Sequence, residues 1–185
     1  AFQATGNPDD IVQRFLRAIR VNPGIKTPLY VSPPAGVESA KAPSLDPSEV
    51  SILQNTSSLE VFDFKAHSPG DLLSPLDVAA TASNEPDYGM DIGLFEDNNT
   101  PFGLEYGFGT QPFGNPNLDY GSQAPFHMGI YHESWIVYLF AAFLKETYPE
   151  YRIHLFKSLS EFAFSRGQDY WGWRFMGWGL HYLGD

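Results

Sequence analysis

Proline placement constrains this chain more than any other feature. Of its 15 prolines, only Pro149 lies beyond Pro125. Proline cannot donate to a helical ladder and clashes with the preceding turn, so long helices are confined to the last part of the sequence. There the pattern is regular. Glu133 to Thr147 is rich in Trp, Ile, Leu, Phe and Ala, with Lys145 and Glu146 near its exit and Pro149 beyond it. Glu150 to Arg166 gathers Ile153, Leu155, Phe156, Leu159 and Phe162 on one side and leaves Lys157 to face water. Gln168 to Asp185 carries Trp171, Trp173, Phe175, Met176, Leu180 and Leu183. The interruptions between these segments are short, which predicts antiparallel packing of neighbouring helices.

Upstream, residues 9–20 fit an amphipathic helix with Ile11, Phe15, Leu16 and Ile19 on one side. Asp9 or Asp10 supplies a cap and Asn22-Pro23-Gly24 a stop. From there to Pro125, prolines and glycines interrupt every periodicity, while aromatics such as Phe62, Phe64, Tyr88, Phe95, Phe102, Tyr106 and Tyr120 recur. Short helices are expected near Asp46 to Leu53 and Ser74 to Ala82, within a region longer than a connection between two helices requires, which reads as a long functional or modulatory insertion. The fold class expected is mainly α, a helical bundle with a long Pro/Gly/aromatic-rich insertion. The last helix has so much aromatic circumference that two neighbours would leave part of it uncovered, and further helices after Asp185 are expected.

Composition excludes several function classes. A formal charge of -11 repels a long anionic backbone and disfavours duplex nucleic acid. The absence of cysteine removes disulfides, thiolate metal sites and a cysteine nucleophile. No leader of signal-peptide type is present at Ala1, so any such peptide is expected to have been removed, and no apolar run is long enough to span a bilayer. Sequons at Asn55-Thr56-Ser57 and Asn98-Asn99-Thr100 fit exposed turns.

Polar candidates concentrate in three places. His181 and Asp185 are four residues apart in Gly177-Trp178-Gly179-Leu180-His181-Tyr182-Leu183-Gly184-Asp185, so one helix face presents both. That spacing suits a shared metal, and it equally suits a carboxylate orienting an ordinary histidine. The glycines at 177, 179 and 184 weaken a helix but admit a close neighbour. Asp87 sits between Pro86 and Gly89 in an acidic turn, either held as a ligand or simply solvated; Glu85 and Asp91 read as turn, capping or supporting residues. His127, two residues before Gly129, is the better inward-facing ligand of the pair His127 and His132, although a capping or core histidine fits as well. His132 suits a cap near the next helix start, and His67 and His154 are weak candidates.

These segments resemble the zinc-dependent phospholipase C and S1/P1 nuclease superfamily. Leu180-His181-Tyr182-Leu183-Gly184-Asp185 looks like the first half of its His-Tyr-Leu-Gly/Ala-Asp…Pro-x-His motif, Glu85-Pro86-Asp87-Tyr88-Gly89 like its metal-binding aspartate segment, and Phe126-His127 like its intervening histidine. The resemblance runs over residues 11–185 and implies a mainly helical phosphoesterase with a multinuclear zinc site. On it, Asp87, His127 and His181 ligate one zinc and Asp185 bridges to a second, acting as the catalytic residue as well. It further implies that residues 1–185 are the amino-terminal portion of the domain, completed by a downstream fragment or second chain carrying Pro-x-His.

A phosphate ester is the substrate implied, most readily a phospholipid or small phosphodiester, with peripheral lipid contact and a secreted or periplasmic location. A single-strand-specific nuclease and a non-catalytic structural or binding portion of a metalloprotein are the alternatives. Two departures stand against the pattern: no histidine precedes His67, and Asp87 and His127 are unusually far apart, which on this resemblance implies an inserted loop near the site at residues 95–120.

Overall fold

The computed structural model describes residues 28–32, 42–51, 56–88, 90–91, 127–145 and 149–185. The expected helix at 9–20, the inserted loop at 95–120 and the asparagines of both sequons lie outside the described residues. Within these residues the fold is mainly α-helical with a minor two-stranded sheet: β1 (Leu29–Val31), α1 (Pro47–Val50), β2 (Lys65–His67), α2 (Pro75–Asn84), α3 (Trp135–Phe140), α4 (Pro149–Ser165) and α5 (Asp169–Gly184).

Helices α4 and α5 form an antiparallel hairpin because the chain reverses at Gly167. Its φ of 66° lies in the left-handed region that glycine adopts without strain. The amides of Gly167 and Gln168 then donate to the carbonyls of Phe164 and Ala163, closing the end of α4. Trp171, Phe175, Trp178 and Tyr182 fall on one stripe of α5 and bury themselves against Phe156, Leu159 and Ala163 of α4 and Ala82 of α2. Burying each such side chain is worth about 1.5–3 kcal/mol. Helix α2 starts from a Ser74 cap with Pro75 in its first turn and packs against α5. Leu180 and Leu183 remain exposed.

A second core joins Tyr30, Val50, Leu59, Phe64 and Met90. The strands pair antiparallel with Tyr30 opposite Ala66, and β1 is pinned to α2 where the Ser32 amide donates to Thr81 Oγ1 at 2.8 Å. The sheet is an addition to the helical segments expected within a mainly α fold.

One helix is shorter than its sequence suggests. In place of a continuous segment from Glu133 to Thr147, α3 spans only Trp135–Phe140, breaks at Ala141 and continues as a 3₁₀ turn, Ala142–Lys145. Ser134 makes no side-chain cap, and Trp135, Ile136, Leu139 and Phe140 are exposed rather than packed. Aromatic and β-branched residues hold a helix poorly without tertiary burial. No helix among the described residues is long and apolar enough to cross a membrane.

Candidate metal centre

Two structural elements and one irregular segment converge beside the carboxyl end of α2. Asp87 stands on the 3₁₀ turn Pro86–Tyr88 that follows α2 directly; the amides of Tyr88 and Met90 both donate to the Glu85 carbonyl. His127 enters from the segment before α3 and is buried. His181 and Asp185 occupy the last turn of α5, one helical turn apart.

The distances close a small cage. Nε2 of His127 and Nε2 of His181 are 2.6 Å apart. Asp185 Oδ2 lies 3.0 Å from the first and 3.1 Å from the second. Asp87 Oδ1 lies 3.3 Å and 3.6 Å from the same two nitrogens. Donor atoms about 2.0–2.1 Å from a tetrahedral zinc would be separated by about 3.3 Å; the four nitrogen–oxygen distances lie near that value, and the nitrogen–nitrogen approach is shorter. Asp87, His127 and His181 form a cluster able to coordinate one metal ion, and Asp185 stands within reach of both histidines.

Hydrogen bonding fixes how the imidazoles face. His181 Nδ1 is 2.7 Å from the Ser83 carbonyl, which can only accept, so Nδ1 carries the proton. Nε2 of His181 faces His127 and the two carboxylates. Atoms crowded this closely are held together by a hydrogen on an imidazole Nε2 or by a cation among them. Burial, reinforced by the neighbouring His181, holds His127 below the ordinary histidine range, which favours its neutral, ligand-ready form. The site is open on one side, where the Asp87 side chain is 59% exposed.

The support behind this cage is ionic. Glu85, adjacent to Pro86, is fully buried and accepts four hydrogen bonds: Arg174 Nε at 3.1 Å and Nη2 at 3.0 Å, Trp178 Nε1 at 2.6 Å and the Tyr30 hydroxyl at 2.5 Å. Arg174 Nη2 also donates to the Tyr30 hydroxyl, and Nη1 to Tyr170. This knot ties β1, the end of α2 and α5 together, and so sets Ser83 and Asp87 against His181.

The structure thus brings together Asp87, His127, His181 and Asp185 and leaves the other histidines elsewhere. His132 and His154 are exposed, and His67 pairs with Asp71 at 3.4 Å on the far strand. Arg152 and Arg174 were not anticipated. Their one signal is a cation inside an aromatic stripe, as in Trp171-Gly172-Trp173-Arg174-Phe175. No family model, curated protein or solved structure matches this chain.

Proposed function

We propose that this chain carries the zinc site of a phosphoesterase of the phospholipase C and S1/P1 nuclease type, acting on a phospholipid or small phosphodiester outside the cytoplasm. The observation that carries the proposal is the 2.6 Å approach of two imidazole nitrogens flanked by two carboxylates. Two imidazoles and two carboxylates are the nitrogen and oxygen donors that zinc takes. A divalent cation held there supplies Lewis-acid polarisation of a phosphoryl oxygen and lowers the pKa of a water.

The chain's own groups do the rest. His181 is held in one tautomer by the Ser83 carbonyl, His127 is kept neutral by burial, and Asp185 faces both through one oxygen. The exposed flank at Asp87 admits substrate and water. Water oxygen bonds to phosphorus, the ester P–O bond breaks, and the leaving oxygen takes up a proton. A multinuclear site would draw further ligands from outside the cluster described, with Asp185 as the bridge.

The test is metal analysis of the purified 185-residue chain after dialysis against zinc, followed by turnover of a phosphatidylcholine, a bis-phosphodiester and single-stranded DNA. At least one zinc per chain is expected, with His181→Ala losing it. A wild-type chain without stoichiometric zinc overturns the reading. Zinc without turnover of any of the three substrates leaves a metal-binding module.

A further inference from the structure

Directly behind the two histidines lies a second buried ion pair that the cage does not use. Asp91 and Arg152 are both almost fully buried, and Asp91 Oδ2 lies 3.4 Å from Arg152 Nη1. The Tyr182 hydroxyl donates to the same Oδ2 at 2.7 Å, and Arg152 Nη1 touches that hydroxyl too. The Arg152 guanidinium lies over the Tyr182 ring, 4.6 Å from its centroid.

Tyr182 is the link to the cage. Its ring stacks on Phe156 and meets His127 and His181 edge to face, with centroids 5.1 Å and 5.3 Å away. A ring tethered at its hydroxyl and packed on three sides has no freedom to rotate away from either imidazole. Whatever fixes Tyr182 therefore fixes the histidines.

Charge adds to position. Burying a carboxylate costs free energy, which the arginine at 3.4 Å and the Tyr182 hydroxyl at 2.7 Å work against. Burial pushes the Asp91 carboxyl up, and Arg152, His127 and His181 oppose that rise.

We infer that Asp91, with Arg152 and Tyr182, is a positioning element for the metal centre, holding both imidazoles in place and raising their affinity for a divalent cation. The inference rests on the metal-binding reading and deepens it. Groups that orient ligand histidines typically alter metal affinity about 10–100-fold when removed.

The experiment uses the 185-residue chain, zinc competition against a chromophoric chelator, and the visible absorption of the cobalt(II) form. Asp91→Asn keeps the shape and the hydroxyl contact but removes the charge. It is expected to bind zinc at least about tenfold more weakly and to shift the cobalt bands. Because Asp91→Asn strands Arg152, the double variant Asp91→Asn with Arg152→Met removes both charges, and the same weakening is expected in it. Tyr182→Phe deletes one oxygen from a packed ring, tests the tether alone, and is expected to weaken zinc at least severalfold. Folded variants with wild-type zinc affinity and unshifted cobalt bands overturn the inference while leaving the metal site standing. A wild-type chain that takes up neither metal overturns the metal reading itself.

Discussion

At the scale of single residues, two buried arginines decide where the ligands stand. Burial alone would lower the Arg174 guanidinium, but Glu85, Tyr170 and Tyr30 more than reverse that, and it stays charged. Removing one partner of such a pair leaves an uncompensated charge. Glu85→Gln is expected to cost about 3–5 kcal/mol in urea denaturation, and Glu85→Gln with Arg174→Met to recover most of it. A loss below about 1 kcal/mol for the single variant would sink this account. The four cage residues were legible because the chain has only five histidines and because Asp87 and Asp185, two of twelve aspartates, fell into short, patterned segments. Arg152 and Arg174 were not, because an arginine in a helix ordinarily sits in water, and nothing in one sequence tells which acid lies 89 positions away.

The elements divide by how much of their pattern is local. Helices α4 and α5 could be read from periodicity and from Gly167, since both signals sit within a few residues of the structure they specify. The strands could not, because three residues are too few for an alternation to register. Helix α3 was overextended for the converse reason: its composition suits a helix, but among the described residues its apolar side chains stay exposed. The α2–α5 contact yields a sharp expectation. A Cβ at position 177 would lie 2.5 Å from the Ala79 carbonyl oxygen and 2.6 Å from Ala82 Cβ, so the helices must separate. Gly177→Ala should destabilise by about 1–3 kcal/mol despite its better helix propensity. Thermal unfolding checks this, and a raised midpoint would contradict the packing.

For the molecule as a whole, alkaline pH is the expected weak point. Burial raises Tyr30 well above the ordinary tyrosine range and raises Tyr170 as well. Both protons are held more tightly folded than unfolded, so the stability they contribute is intact below about pH 10 and is lost as pH rises through the folded values. Each tyrosine should steepen that decline by up to about 1.4 kcal/mol per pH unit. Denaturation measured at several alkaline pH values should show it, with Tyr170→Phe reducing the slope; an unchanged slope would contradict it. The knot that buries these tyrosines also orders events in time. Tyr30 and Arg174 are 144 positions apart, so during synthesis the strand and the end of α2 leave the ribosome long before their counterion does. Until α5 emerges, Glu85 must stay hydrated and the first core cannot close. His181 and Asp185 follow close behind Arg174, so cation capture would mark a nascent chain in which Glu85 can already meet its counterion.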